Sequence, residues 1–367
     1  MNILIFIVCI VVLIVVHEFG HFVAAKLARM RVDEFGIGYP PRAAVIGKIG
    51  ETILSLNWLP FGGFVKIFGE EVDSGNIHDT SSFSSKNRFA QALVLVAGIA
   101  MNLIFAYVLI TGALIAGTPR ALEPDEISSA RDVKLAVAGV LPDSPAEKAG
   151  ILVGDAVLSA EDGHFVFNSA DPAKFTKFVS NGKGNTTISL SIKRASGEET
   201  TLFARPVAGI VASDPLRPAL GVEVATIGVI PLSFGSAIVE GATLTWGSIK
   251  ITAVGLWNFF YDIFTLRANF SQVSGPVGIV GVVGNASADG FGNLLSIMAI
   301  ISINLALINL IPVPALDGGR LLFVIIESVI RRPIKASVAR AVNSVSFAFL
   351  VLLMVAITAH DIFKIVG

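Results

Sequence analysis

The sequence predicts a mainly α-helical transmembrane bundle of four spans, with a membrane-dipping β-hairpin and one inserted extracytoplasmic α+β domain. Of the 367 residues, 53% are hydrophobic and only 15% are charged, whereas soluble domains carry about 25% charged residues. Four apolar stretches qualify as spans, for which a helix needs roughly 20 residues to cross the hydrocarbon layer. Between the second and third stretches the chain becomes polar, with short strand patterns and recurrent turns, which indicates a separate domain.

The orientation of the spans follows from the positive charges between them. The predicted spans cover residues 2–27, 89–116, 294–311 and 341–365, and an apolar piece at 321–330 continues the third after a proline-rich break. Lys and Arg cluster between the first and second spans and between the third and fourth. The positive-inside rule places both clusters in the cytoplasm. We therefore expect the N-terminus, the C-terminus and the inserted domain to be extracytoplasmic.

Residues 52–69 carry the signal for the β-hairpin, within a first predicted unit of residues 1–117. Apolar and polar side chains alternate on both sides of Pro60-Phe61-Gly62-Gly63, a pattern typical of a turn between two strands. The segment is very apolar but too short to span a bilayer. An unpaired edge beside a site could hold an extended peptide by strand addition. An ordinary interfacial hairpin is the alternative interpretation.

The inserted domain is predicted over residues 131–226. Ser144 begins a helix-cap pattern, and strands are expected at 156–158, 187–193 and 200–206. The stretch SPAEKAGILVGDAVLSAEDG resembles a PDZ domain, a fold that binds peptide termini along a sheet edge. We expect this PDZ-like domain either to contact a peptide terminus or to exclude bulky ectodomains.

Two further segments complete the predicted organisation. Residues 235–266 are compatible with a helix that carries Trp246, Trp257 and Tyr261, and such aromatic residues favour the membrane interface. We interpret this segment as an interfacial or gating helix. Residues 290–367 hold the third and fourth spans.

A cluster of ionisable residues lies at the inner end of the first apolar run. His17 and His21 are four residues apart, so on a helix they share one face. That spacing allows both imidazoles to bind one zinc ion and leaves Glu18 free to act as a base. Ionisable groups inside a membrane segment are costly and usually mark a functional site.

A catalytic zinc usually has three protein ligands and a water molecule, so a third ligand is required. Asp317 follows the prolines that break the third span, Pro312 and Pro314. Non-helical backbone at membrane depth is tolerated where protein or a cavity surrounds it. Asp317 is therefore the candidate ligand. A helix cap formed by Asp317 with Arg320 is the alternative.

These motifs together resemble the site-2 protease family of bacterial intramembrane zinc metalloproteases. HEFGH at 17–21 is similar to the family's HExxH motif, and NLIPVPALDGG at 309–319 is similar to its second signature. GGFVK at 62–66 and SGPVG at 274–278 resemble its apolar hairpin and the segment before its third span. One departure is Ile99, where relatives often have proline.

The resemblance implies a role for each matching residue. His17, His21 and Asp317 would bind Zn²⁺, and Glu18 would be catalytic. Asn309 would hold the substrate or the developing oxyanion. The other expected substrate contacts are Gly63, Phe64, Val65, Pro312 and Pro314. Asn102 and Asn304 are predicted to form interhelical hydrogen bonds.

The implied activity is regulated intramembrane proteolysis in the bacterial inner membrane. The expected substrates are single-pass membrane proteins already shortened by another protease, with anti-sigma factors or remnant signal peptides suggested by the resemblance. The lipid bilayer is the expected environment, and the net charge of −1 gives no indication of a nucleic-acid partner. A metal permease and a membrane-bound PDZ adaptor remain alternatives, although no repeat of the two halves, which many transporters have, is visible.

Overall fold

The computed structural model describes residues 2–70, 79–181, 186–194, 197–211, 214, 216–265, 275–332 and 334–366. Two compact units are present. Met1–Ala113 and Phe234–Gly367 form the first, which we call the helical unit. Leu114–Ser233 forms the second, the β-rich unit. Of the predicted segments 1–117, 131–226, 235–266, 274–278 and 290–367, residues 1, 71–78, 182–185, 195–196, 212–213, 215, 266, 274, 333 and 367 lie outside the described residues.

Four helices in the described part of the chain are long and apolar enough to cross a membrane. They are α1 (Asn2–Leu27), α2 (Arg88–Ala116), α7 (Phe291–Leu310) and α9 (Ala336–Val366), and they coincide with the predicted spans to within a few residues. The apolar piece after the proline-rich break is a separate helix, because α8 (Asp317–Ile330) begins seven residues after α7 ends.

The C-terminal half of α1 buries a stripe of small and polar residues. His17, Gly20, His21 and Ala24 are all buried, and their spacing places them on one helical face. A Cβ on Gly20 would overlap the backbone carbonyl of Ala97 in α2. Glycine at this position therefore allows α1 and α2 to pack in direct backbone contact, which brings the histidines against α2.

The prediction that the two arms of residues 52–69 pair with each other as a hairpin is wrong. Residues Thr52–Ile67 form β2, which pairs with β1 (Val32–Ile49), a strand that the sequence analysis missed. Phe35 in β1 is paired with Val65 on one side and with Leu54 on the other. Both arms of the predicted hairpin therefore pair with β1, because β1 supplies ladder partners that local sequence patterns do not reveal.

Side-chain hydrogen bonds reinforce this sheet. Thr52 Oγ1 donates to the Val32 carbonyl at 2.7 Å, and Asn57 Nδ2 donates to the Gly38 carbonyl at 3.2 Å. Thr52 and Asn57 are both buried. Each bond gives a backbone carbonyl group a buried side-chain donor.

Two further helices belong to the helical unit. The predicted aromatic helix is present as α5 (Phe234–Phe264), and the hydroxyl of Tyr107 in α2 donates to its Ile238 carbonyl at 3.2 Å. The sequence analysis missed α6 (Pro276–Ala288), a 13-residue helix too short for a span. The carboxylate of Asp361 in α9 accepts a hydrogen bond of 2.9 Å from the Gly278 backbone N–H at the start of α6.

The β-rich unit contains a seven-stranded antiparallel sheet. The strands are β3 (Pro119–Ala121), β4 (Arg131–Val140), β5 (Ala156–Glu161), β6 (Val166–Phe167), β7 (Ile188–Lys193), β8 (Glu199–Ala204) and β9 (Val222–Val229). Their order is β3-β9-β4-β5-β7-β8, with β6 paired to β5. The predicted strands correspond to β5, β7 and β8, and the sheet extends beyond 131–226 at both ends.

Two helices accompany this sheet, α3 (Pro145–Lys148) and α4 (Pro172–Asn181). The predicted cap is present, because the Ser144 hydroxyl accepts a hydrogen bond from the Glu147 backbone N–H at 3.2 Å. Phe175 of α4 is buried against the apolar face of the sheet, which includes Ile188, Leu190 and Ile192. This apolar core gives the unit a fold of its own.

Candidate metal centre

Helix α1 supplies two imidazoles to one point. His17 and His21 are both buried, and their Nε2 atoms lie 3.1 Å apart. The rings meet edge to face, with centroids 4.7 Å apart. The spacing of four residues therefore brings the two rings together, as the sequence predicted.

Asp317 is the first residue of α8, and its carboxylate reaches the same point. Its Oδ2 lies 2.9 Å from His17 Nε2 and 3.2 Å from His21 Nε2. The alternative cap with Arg320 is not what the structure shows, because the Arg320 guanidinium pairs with Glu70 at 2.7 Å.

The link between α7 and α8 explains how the carboxylate arrives there. Residues 311–316 are non-helical and fold back over the first turn of α8. A Cβ on Gly318 would overlap the carbonyls of Leu310 and Ile311, and a Cβ on Gly319 would overlap that of Val313. The two glycines therefore allow the link to close tightly, so that Asp317 points away from it towards α1.

The three ligand atoms fit a metal ion. Zinc bonds of about 2.0–2.1 Å at tetrahedral angles hold ligand atoms roughly 3.3 Å apart, and the three distances here are 2.9, 3.1 and 3.2 Å. In the described part of the chain this is the one group of three or more His, Cys, Asp or Glu side chains with that proximity. Two histidines and a carboxylate form a common catalytic zinc set that leaves a position for water.

Helix α2 holds the outer side of both rings. The Nδ1 atom of His21 lies 2.8 Å from the Val94 carbonyl, and Nδ1 of His17 lies 3.2 Å from Asn102 Nδ2. Between these two partners, a Cβ on Gly98 would overlap Nε2 of His21 and crowd the His17 ring. Residues 94, 98 and 102 share one face of α2, because they are spaced by four.

Glu18 lies between α1 and the end of β2. Its side chain is half-buried, and its carboxylate lies near the Val65 backbone N–H. A Cβ on Gly63 would be 3.6 Å from Glu18 Cγ. The carboxylate is therefore outside the ligand set, next to the metal centre and to the last part of β2, where it can act as a base.

The other predicted substrate contacts are spread around this centre. Asn309 Nδ2 is 3.5 Å from His17 Nε2, so the amide borders the metal centre. Phe64 is half-buried, with its ring against Gly36. Pro312 is exposed and Pro314 is half-buried in the link before α8. Their roles towards a substrate stay predictions.

Three residues of α2 were missed as parts of the site. Val94 contributes only its backbone carbonyl, which no sequence pattern reveals. The four-residue spacing of Gly98 and Asn102 inside an apolar span was the available signal. Asn102 does form an interhelical hydrogen bond, as predicted, but its partner is the ring of His17.

Comparison with known proteins shows which family the chain resembles. A family model described as "Peptidase family M50" matches residues 5–353 of this chain. A protein of Clostridium perfringens is 35% identical over 357 residues, covering 95% of each chain. One of Fusobacterium nucleatum is 34% identical over 330 residues, covering 90% of this chain and 89% of its own. One of Nostoc is 31% identical over 357 residues, covering 95% and 93%. All three are named "Putative zinc metalloprotease".

Proposed function

The chain belongs to peptidase family M50, and we propose that it is a zinc-dependent intramembrane endopeptidase for pre-trimmed single-pass membrane proteins. The observation that carries this proposal is the triangle of His17, His21 and Asp317 with Glu18 beside it. Two of those ligands belong to a helix long and apolar enough to cross a membrane. A multi-pass metalloprotease with its centre inside the bilayer accounts for both features.

Zinc held by His17, His21 and Asp317 would supply a Lewis acid for the scissile carbonyl and would make a water molecule acidic enough to lose a proton near neutral pH. Glu18 takes that proton and passes it to the leaving amine, which requires a carboxylate adjacent to the reacting atoms. Asn309 would donate its amide N–H to the developing oxyanion. Its Nδ2 already lies 3.5 Å from His17 Nε2.

Substrate capture is assigned to the end of β2. A helical substrate must unwind before cleavage, because its carbonyls are engaged in intrahelical hydrogen bonds. Gly63, Phe64 and Val65 run past Glu18, and an extended peptide added to this strand would lie next to the metal centre. Pro312 and Pro314, in the link before α8, would add further substrate contacts.

The β-rich unit is proposed to be a PDZ domain outside the inner membrane. The SPAEKAG stretch, its capped helix and the single sheet support this assignment. The face of α4 and the start of β9 border a cavity of about 350 Å³. The unit would exclude bulky ectodomains or contact a trimmed end. Anti-sigma factors and remnant signal peptides are the substrates suggested by family resemblance.

The test is cleavage of trimmed single-pass proteins by the full chain reconstituted in liposomes, wild type against Glu18→Gln. We expect the loss of a general base to reduce cleavage by about 10²–10⁴-fold, with zinc content unchanged. Equal cleavage by both proteins would overturn the proposal. Metal flux into the liposomes without cleavage would indicate a permease, and binding of substrate without cleavage would indicate an adaptor.

A further inference from the structure

Asn102 lies against His17 on the side of the imidazole that faces away from the metal centre. The residue is fully buried in α2, and its Nδ2 is 3.2 Å from His17 Nδ1. The Ser302 hydroxyl of α7 donates to the Asn102 backbone carbonyl at 2.8 Å. Asn102 is therefore fixed between α1 and α7, with its amide at the outer edge of the ring.

If His17 binds the metal through Nε2, its Nδ1 atom needs a hydrogen-bond acceptor. A neutral imidazole that gives the Nε2 lone pair to a metal carries its hydrogen on Nδ1. A buried N–H without an acceptor costs free energy. His17 therefore requires an acceptor at Nδ1, and the side chain found there is the amide of Asn102.

The amide can supply that acceptor. Asn102 Oδ1 is buried without a hydrogen-bond partner in the described structure, so a half-turn of the amide breaks no bond of the oxygen. The oxygen and nitrogen of an amide occupy nearly the same volume. The half-turn brings Oδ1 to within hydrogen-bonding distance of Nδ1 without displacing the surrounding side chains.

His21 shows the same requirement met by a backbone group. Its Nδ1 lies 2.8 Å from the Val94 carbonyl, which can only accept. Val94 and Asn102 are eight residues apart on the face of α2 that also carries Gly98. Helix α2 thus offers one acceptor to each histidine, but only the acceptor for His17 can be removed by substitution.

We propose that Asn102 is a positioning residue, whose Oδ1 accepts a hydrogen bond from His17 Nδ1–H and directs Nε2 towards the metal. The inference rests on the proposed function only in taking zinc as the ligand of Nε2. Loss of an outer-shell partner of a metal-binding histidine typically costs 10–100-fold in metal affinity.

The test is a zinc titration of the purified full chain against a chromogenic chelator, without substrate. We expect Asn102→Leu, which has no acceptor, to weaken zinc binding by about 10–100-fold. Asn102→Asp keeps an acceptor of the same shape, so its affinity should equal or exceed that of the wild type. The matched control is Asn304→Leu, and zinc affinity should stay unchanged. Within the described residues the Asn304 amide donates to the Ile300 carbonyl of its own helix rather than to a neighbouring helix as predicted.

Two results would overturn the inference. One is wild-type affinity in Asn102→Leu, and the other is an equal loss in the Leu and Asp variants, which a packing role would produce. Asn102→Ala carries the same expectation if the Leu variant does not fold. Absorption of the cobalt-loaded protein gives a second readout, since a displaced His17 alters the ligand field. Because no substrate is used, a chain that shows this zinc dependence but cleaves nothing would overturn only the proposed function.

Discussion

The carboxylate of Asp317 lies 2.9 Å from His17 Nε2, although 300 residues separate the two along the chain. His17 is buried in the first helix, and Asp317 begins a helix that follows a non-helical link. Neither local motif forms a metal site alone. The centre therefore exists only when the N-terminal and C-terminal parts of the helical unit have packed together.

Replacement of Asp317 by Asn should remove zinc. The carboxylate is the one negative ligand in the set, so we expect a loss of affinity at least as large as the roughly 100-fold that an outer-shell change can cause. Metal analysis of the purified protein should give about one zinc per chain for the wild type and for Glu18→Gln. Full zinc content at wild-type affinity in Asp317→Asn would exclude it as a ligand.

Removal of the metal should abolish cleavage reversibly. Imidazole nitrogens suit zinc, whereas magnesium prefers oxygen ligands, so activity lost to a chelator should return with zinc and not with magnesium. The measurement is cleavage of a trimmed single-pass substrate after dialysis and metal addition. Restoration by magnesium would contradict a site built on His17 and His21.

Gly98→Ala should disrupt the centre through steric overlap. The added Cβ would overlap Nε2 of His21, and overpacking of this kind costs about 1–3 kcal/mol. Gly112→Ala is the matched control on the same helix, because its Cβ would meet only a Leu295 methyl group at 3.4 Å. Zinc titration should show weaker binding for the first variant alone, and equal affinities would refute the predicted overlap.

Gly63→Val tests the role of β2 in holding the substrate. Its Cβ would be 3.0 Å from the Gly36 carbonyl oxygen and 3.6 Å from Glu18 Cγ. We expect cleavage to fall about tenfold or more, with zinc retained. Gly47→Val serves as the control, because Gly47 lies in the same sheet and a Cβ there would have no atom within 4 Å. Unchanged kcat/KM in Gly63→Val would argue against capture at this strand.

Leu190→Ala tests whether the β-rich unit limits access. Leu190 is 1% exposed in the core of that unit, and such truncations cost about 2–5 kcal/mol of the free energy of unfolding. Urea denaturation should report this loss with zinc affinity unchanged. A substrate with a folded ectodomain should then be cleaved faster. Phe203→Ala, at a side chain that is 65% exposed, should change stability by less than about 0.5 kcal/mol.

The helices and the first half of the metal centre could be predicted from sequence because their causes are local. Hydropathy over some twenty residues identifies a span, and a four-residue spacing places His17 and His21 on one face of a helix. The same local logic located the cap at Ser144. It could not locate α6, which is too short to register as a span.

The pairing of β2 with β1 could not be predicted from the sequence, because the local pattern of a strand does not specify its partner. Residues 52–67 alternate as a hairpin would, but their ladder hydrogen bonds go to β1. Charged residues, glycines and prolines interrupt β1 and conceal its alternation. Pairing of this kind depends on which segment is brought alongside during folding, and no local pattern specifies that.

The sequence by itself determined the spans, the paired histidines and the candidate aspartate, since helix periodicity and apolar content act over a few turns. Only the tertiary structure decided that Asp317 meets the histidines and that Val94 and Asn102 of α2 face their outer nitrogens. Contacts between distant segments form when packing of whole helices outweighs the entropy of closing the intervening chain. That balance depends on the whole folded molecule, so it cannot be predicted from any single segment.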